Sequence, residues 1–469
     1  MKPIRTRTGL GAAVLCLVMT NAVAAGKAPP TVPADVSARA LEILQRSVSF
    51  ITFVGQDQVP AYAAYLSEVL VAGGFAREDI TITPFEETAF LIARYRGRNP
   101  DAKPIVLGGH MDVVPALKAH WQRDPFTPII EDGFLFGRGS ADNKFGVSTM
   151  VATLLWLKSE GFKPSRDILL ALSGDEETLQ ETTAVLSKQL SNAEMFLNSD
   201  AGGANLGDDG KPIVYGMQAA EKTYVDFEVS FTSPGGHSSR PSPDNAIYHL
   251  ARAIDRIAGY RFPTQSSDLV LAYFRAAGKL TEGEDGAAMR KYAENPADPD
   301  AIAYLTGKPE YVGQLGTTCV ATMLQAGHAK NALPQSAMVN VNCRVFPGVT
   351  IESVKETLVR VIEDPTAQVA IAGKPPVRSD ASPLRDDVMK ALRKAIDLRA
   401  PGLPIVPSMS AGATDSLYFR NLGVPSYGVS GIFMHPRDNF AHGLNERVPV
   451  ATIDGALLQW HSLLTDLAR

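Results

Sequence analysis

Cysteine is scarce in this 469-residue sequence, with three in all, and tryptophan is no commoner. Cys16 lies in an apolar N-terminal run, which leaves Cys319 and Cys343. Two cysteines so far apart do not have the spacing of a zinc-thiolate site. Positive charge is not in excess either: 45 Lys and Arg stand against 50 Asp and Glu, for a net charge of −5. That balance gives no global field for a nucleic acid backbone or an anionic membrane surface. Beyond the N-terminal run, no stretch approaches the roughly 20 unbroken apolar residues of a spanning helix. Internal repeats and low-complexity segments are also missing. The 45% of hydrophobic residues suffice for a large core, which excludes a disordered or fibrous protein. The length suits two or three domains.

The first residues read as a secretory signal. Lys2, Arg5 and Arg7 precede an apolar run over 9–19, and Ala22, Val23 and Ala24 supply the small residues of a cleavage site near Ala25. A run of about a dozen residues is short for a membrane anchor, so the expectation is a cleaved signal over 1–24 and a secreted or periplasmic protein with no membrane association afterwards. The residues before Cys16 lack a lipoprotein-type pattern. An oxidising exterior permits a disulfide, and Cys319 and Cys343 sit on extended segments over 317–325 and 336–345 that flank a turn near Asn331. Their shared parity with Ala321, Met323, Val339 and Val341 favours two buried thiols instead.

From 36 to 200, helical and extended segments alternate. Apolar spacing predicts helices over 60–70 and 145–157, and short buried strands over 104–108, 167–172 and 195–198. Strands separated by helices imply a largely parallel sheet covered on both faces. The pattern changes after Glu221: strand 224–232, helix 245–257, strands 317–325 and 336–345, helix 351–362 and an extended piece over 368–371 make a split βαβ arrangement. A polar stretch over 261–316 interrupts it and is expected to carry short helices. From 383 the first pattern returns, with helices over 388–398 and 453–467, a glycine-containing loop over 410–414 and an extended run over 424–429. The expected organisation is therefore a catalytic domain in two parts, 25–220 and 379–469, with a smaller domain over 221–378 inserted between them.

Seven side chains carry the chemistry: His110, Asp112, Asp142, Glu176, Glu177, Asp200 and His442. Several fall where a predicted strand ends, and in an open α/β sheet the carboxyl ends of strands form the ligand crevice. Imidazole and carboxylate together suit zinc or a similar divalent cation, and one carboxylate can bridge two ions. Two such ions about 3.5 to 4 Å apart can activate water and polarise a carbonyl, which points to amide hydrolysis. Each piece has an ordinary reading as well. A lone His-x-Asp is usually a surface or cap pair, paired glutamates are usually solvated, and Gly137-Arg-Gly139 is compatible with a simple turn. The joint order of Gly-Gly-His110-Met-Asp112, Gly137-Arg-Gly-Ser-Ala-Asp142-Asn-Lys144, Gly174-Asp-Glu176-Glu177, Asn198-Ser-Asp200 and His442-Gly-Leu-Asn-Glu446 is what sets this chain apart.

With these motifs the chain resembles the di-zinc exopeptidases and amidohydrolases of peptidase clan MH, which include aminoacylase, succinyl-diaminopimelate desuccinylase, glutamate carboxypeptidase, carboxypeptidase S and carnosinase. His110-Met-Asp-Val-Val-Pro115, followed by Trp121 and Asp124-Pro-Phe126, is most similar to the carboxypeptidase S and N-acyl amino acid hydrolase branch. The resemblance implies an α/β fold, with a mixed-sheet catalytic domain covered by helices and a smaller α+β, ferredoxin-like lid that serves dimerisation. It implies one metal on His110, Asp142 and Asp200 and a second on Asp142, Glu177 and His442, with zinc as the metal and Co2+ or Mn2+ as substitutes. Asp112 would hydrogen-bond the far nitrogen of His110, and Glu176 would be the general base. His237, Asn331, Arg344 and Gly412 would contact substrate, His237 often from the partner subunit of a homodimer. Arg344 suits a carboxylate because its fork binds bidentately, although His237 also fits a simple glycine turn and Arg344 a pair within the lid. Phe145 departs from the glycine that many relatives carry. His120, His249, His328, His435 and His461 have no motif partner and read as structural or exposed, His435 being seven residues before His442.

The implied substrate is a peptide or N-acyl amino acid, cut at an amide next to a free carboxylate. The alternatives are a specialised non-peptide amidohydrolase and a non-catalytic periplasmic peptide-binding protein. A binder has no use for an uncommitted Glu176 beside a full ligand set.

Overall fold

The computed structural model describes residues 31–469; the expected signal over 1–24, with Cys16, lies outside them. The frame is a ten-stranded mixed sheet. At its centre Ile105–His110 runs parallel to both Ile168–Ser173 and Met195–Asn198, and Ser426–Gly428 runs parallel to Met195–Asn198. Every residue of Ile105–His110, Ile168–Ser173 and Met195–Asn198 is buried, as expected of parallel strands covered on both faces. Alternation then sorts the side chains. Ile105, Leu107, Leu170, Leu172 and Leu197 enter one core, while Val106, Leu169, Ala171 and Phe196 enter another. Helices Ala34–Val48, Lys144–Ser159 and Thr452–Leu467 supply the larger core, and Glu181–Gln189 with Ser416–Asn421 the smaller, where Phe196 stacks on Phe419 at 4.0 Å. Antiparallel strands flank the parallel centre, with Thr88–Tyr95 against Ile168–Ser173 and Pro212–Glu221 against Ser426–Gly428. The sheet is mixed: its centre is parallel, and parallel pairs recur toward the far edge, where Ile405–Ser410 lies beside Pro212–Glu221 and Phe433–Met434 beside Gly203–Leu206.

A second, antiparallel sheet orders Thr318–Ala326, Ser336–Val345, Thr223–Thr232 and Gln368–Ala372. Helices Ala246–Gly259 and Ile351–Ile362 back it and share its core through Leu250, Ile257, Val354 and Leu358. This is the ferredoxin-like arrangement. The interrupting stretch does carry helices, Asp268–Leu280, Gly283–Glu294, Pro299–Thr306 and Pro309–Leu315. Their Leu269, Phe274, Met289, Tyr292, Leu305 and Leu315 side chains join the large core beside the ten-stranded sheet, away from the core of the sheet they interrupt.

One expectation is corrected here. Cys319 and Cys343 form a disulfide, since the register pairs them directly across adjacent strands. Parity places Cys343 in the core, where it is buried, but says nothing about which residue of the neighbouring strand stands opposite, and that residue is Cys319. Thr318–Ala326 is an edge strand with a register shift between Ala321 and Met323. Apolar residues on both sides of that shift are not covered: Val320, Met323 and Leu324 are 57%, 64% and 59% exposed.

Candidate metal centre

Three neighbouring parallel strands deliver their carboxyl ends to one place. His110 ends Ile105–His110, Glu176 and Glu177 follow Ile168–Ser173, and Asp200 follows Met195–Asn198. Asp142 stands just before helix Lys144–Ser159, and His442 comes from a loop near the C terminus in the left-handed region, with φ 61°. A non-glycine residue held there stores backbone strain, which marks a position set by its surroundings.

The Asp142 carboxylate divides between two imidazoles. Its Oδ1 lies 3.0 Å from His110 Nε2, which is also 3.4 Å from Asp200 Oδ1. Its Oδ2 lies 3.3 Å from His442 Nε2, which is also 3.0 Å from Glu177 Oε1. Two sets of potential metal donors result, His110 with Asp142 and Asp200, and Asp142 with Glu177 and His442; the donor atoms of each fall within 4.8 Å of one another. Glu176 groups with His110 and Glu177 in the same way.

The electrostatics fit cations. Among the described residues, the only basic side chains within 4.0 Å of the Asp142, Glu177 and Asp200 carboxylates are these two imidazoles. Burial pushes the Asp200 and Glu176 carboxyls well above the usual range. Burial also disfavours a charged His110, but the Asp200, Asp112 and Asp142 carboxylates outweigh it and hold that imidazole well above its ordinary value. Hydrogen bonds to Asp142 and Glu177 raise His442 to about 10. A buried cluster of carboxylates that must recruit protons to be tolerated is a donor set suited to divalent cations.

Asp112 meets the expected nitrogen of His110 through two groups. The His110 Nδ1 atom meets the main-chain carbonyl of Asp112 at 3.0 Å, with the carboxylate farther off at 3.5 Å. That carboxylate also accepts the main-chain N–H groups of Glu176 and Glu177 at 3.1 and 3.0 Å, fixing the turn that carries both glutamates. It still orients the site, through its neighbours more than through the imidazole.

Three supports had no assigned role in the sequence reading. Glu446, fully buried, accepts hydrogen bonds from Arg138 at 2.6 Å and from the main chain of Gly139, Ala141 and Asp142 at 2.9 to 3.0 Å. Arg138 in turn donates to the Gly443 carbonyl at 3.1 Å, so this pair ties the Asp142 loop to the His442 loop. Asn143 accepts from Ser199 at 2.7 Å and donates to Asp200 at 3.2 Å. A Cβ at Gly109 would lie 2.4 Å from the Asn143 oxygen, and one at Gly146 would lie 2.3 Å from Ser199 Oγ, so both positions need glycine. Phe145 is accommodated in the large core, and the close approach passes to Gly146. Asp415, buried and raised to about 6 by that burial, accepts from Ser173 and Thr183 behind the site.

The substrate-contact candidates do not all gather here. Arg344 donates to the Ala411 carbonyl at 2.6 Å, which joins it to the loop carrying Gly412, and lies over the Tyr224 ring. Asn331 is exposed and accepts the Ser238 N–H through its carbonyl at 3.1 Å. His237 is exposed on the short strand Gly236–His237, where its Nδ1 accepts from Ser239, and is in none of the donor sets. Of the other histidines, His249 pairs with Asp364 and His461 with Glu160, while His435 is likewise outside the donor sets.

Comparison with known proteins gives the family and the fold. The sequence pattern of peptidase family M20/M25/M40 matches residues 106–466. The human N-fatty-acyl-amino acid synthase/hydrolase is 28% identical over 372 residues, covering 76% of this chain and 72% of that protein. A probable carboxypeptidase S-like protein of Dictyostelium discoideum is 27% identical over 382 residues, covering 77% and 71%. In fold, an M20 metallo-carboxypeptidase from Sulfolobus solfataricus superposes with a TM-score of 0.65 at 19% identity, over 91% of this chain and 98% of that one. A dinuclear metal-binding M20 peptidase from Bacillus subtilis superposes with a TM-score of 0.57 at 14% identity, over 93% and 99%.

Proposed function

The chain belongs to peptidase family M20/M25/M40 and is a metal-dependent hydrolase, and from that premise we propose that it cleaves an amide bond next to a free carboxylate, in a peptide or an N-acyl amino acid, at a two-zinc site. The observation that carries this reading is the division of the Asp142 carboxylate between two donor sets. His110, Asp142 and Asp200 would hold one cation; Asp142, Glu177 and His442 the other, with Co2+ or Mn2+ able to substitute. When bound, such cations supply Lewis acidity toward a carbonyl oxygen and toward water. Glu177 contacts His442 whereas Glu176 does not, which leaves Glu176 as the base. It takes a proton from the attacking water as the carbon–oxygen bond forms and returns it to the nitrogen as the carbon–nitrogen bond breaks. Burial raises this carboxyl well above its usual range, which strengthens it as a proton acceptor.

Arg344, joined to the Gly412 loop, would receive the substrate carboxylate together with Asn331. His237 would act on the site of a second subunit, in a homodimer built through the small antiparallel sheet. The exposed Val320, Met323 and Leu324 on its edge strand support that interface. The Cys319–Cys343 disulfide supports export to a secreted or periplasmic location. The carboxypeptidase and N-acyl amino acid hydrolase names of similar proteins support the substrate class.

The test is a panel of dipeptides and N-acyl amino acids with zinc-loaded protein and a chelator control. Glu176→Gln should keep its metal content and lose turnover by about 10²- to 10⁴-fold. Unchanged turnover, or activity that resists the chelator, would remove the reading.

A further inference from the structure

The small antiparallel sheet has one covered face and one open face. Val225, Phe227, Val341 and Val345 enter the core under helices Ala246–Gly259 and Ile351–Ile362. Alternation sends Tyr224, Asp226, Asn340, Asn342 and Arg344 to the other face. The register sets Tyr224 directly opposite Arg344 and Asp226 directly opposite Asn342, so Asp226 is the diagonal neighbour of Arg344. Diagonal neighbours on a sheet are within reach of long side chains. An aspartate and an arginine so placed have an ion pair open to them.

They do not form it. The Asp226 carboxylate accepts the Tyr224 hydroxyl at 2.6 Å on Oδ2, and the Asn340 and Asn342 amides at 2.9 Å on Oδ1. Burial works against a charged Asp226, but these hydrogen bonds from Tyr224, Asn342 and Asn340 outweigh it and hold the carboxyl below its usual range. The acid is therefore charged and still does not meet the cation. The Arg344 guanidinium lies 4.7 Å from the centre of the Tyr224 ring and makes no ion pair among the described residues. Tyr224 stands between the two charges, with its hydroxyl on the acid and its ring face on the cation.

The other contact of Arg344 faces the metal centre. It donates to the Ala411 carbonyl, in the loop whose Ser410, Ala413 and Thr414 line a cavity of about 750 Å3 together with Asp142, Glu177 and His442. A positive charge is thus held at the edge of that cavity with no acid of the chain paired to it. We propose that Tyr224 is a positioning residue that keeps Arg344 from pairing with Asp226, and so leaves the guanidinium free for the carboxylate of the substrate. This rests on the reading that Arg344 receives that carboxylate, and deepens it.

The test uses the zinc-loaded full chain, with the dipeptide or N-acyl amino acid of the panel that is cleaved fastest and with the carboxamide of the same compound. Tyr224→Leu releases the Asp226 carboxylate to compete for Arg344. KM for the carboxylate substrate should rise about three- to fivefold, the range of an exposed ion pair, with kcat and the carboxamide kinetics unchanged. Adding Asp226→Asn to Tyr224→Leu should restore KM, because it removes the competitor; a tyrosine that only supports the fold gives no such rescue. An unchanged KM in Tyr224→Leu, or a loss that Asp226→Asn does not repair, overturns the inference. Arg344→Ala separates it from the reading beneath it. A lost preference for the carboxylate keeps that reading even where the Tyr224 variants fail, and an unchanged preference removes both. A crystal structure of Tyr224→Leu tests the same point without substrate: Asp226 within about 4 Å of the Arg344 guanidinium upholds the inference, and the two still apart overturns it.

Discussion

Each oxygen of Asp142 faces a different imidazole, so the position of this one carboxylate decides whether two donor sets exist or one. What holds it is the buried pair of Arg138 and Glu446, through the Asp142 N–H on one side and the Gly443 carbonyl on the other. Removing one member of a buried pair leaves the other charge without a partner, at a cost of about 3–5 kcal/mol. Arg138→Ala should therefore lower stability by about that amount in urea denaturation and weaken zinc binding measured by calorimetry. Arg138→Lys should recover only part of both, because a single ammonium cannot reproduce the guanidinium fork. Wild-type zinc affinity in Arg138→Ala would deny the pair its positioning role. At this scale His110, Glu176, Glu177 and Asp200 are legible because they end predicted strands or follow them closely, whereas Asp142 and His442, before a helix and on a loop, are legible only through the order of the motifs. The pair behind them was not, since Arg138 and Glu446 are 308 residues apart and neither has a local pattern that names its partner. The Asp112 carboxylate lies 3.5 Å from the expected His110 nitrogen, but its main-chain carbonyl is nearer at 3.0 Å, a distinction that the His-x-Asp spacing does not make.

Secondary elements were legible wherever periodicity was strong. Strand Ser336–Val345 and helix Ile351–Ile362 have the bounds that alternation and apolar spacing predict. Edges were harder. The strand Thr318–Ala326 carries apolar residues on both sides of a register shift, and parity alone places Met323 in the core although it is exposed. The disulfide that parity disfavoured closes a separation of 24 residues. Its loss should cost about 2–4 kcal/mol. Cys319→Ala with Cys343→Ala should lower the denaturation midpoint, and reductant should lower the wild-type midpoint but not that of the double variant; the opposite pattern would assign the cysteines no such role. The inserted helices were foreseen as helices, but the core they join was not, because their apolar faces do not specify which sheet they cover.

For the whole molecule, the α/β frame and the interrupting small sheet follow from the change of pattern after Glu221, whereas assembly depends on surfaces. Val320, Met323 and Leu324, at 57%, 64% and 59% exposure, leave an apolar edge strand open. In the proposed homodimer this edge is covered, and Met323→Asp should shift sedimentation from dimer toward monomer; a wild-type monomer would refute that assembly. Turnover as a whole depends on the cation pair. Anomalous scattering at the zinc edge from crystals of zinc-loaded protein tests it most directly. The account predicts two peaks about 3.5–4 Å apart, one bound to each Asp142 oxygen at about 2.0–2.2 Å. A single peak, or a pair that leaves Asp142 uncoordinated, would contradict it.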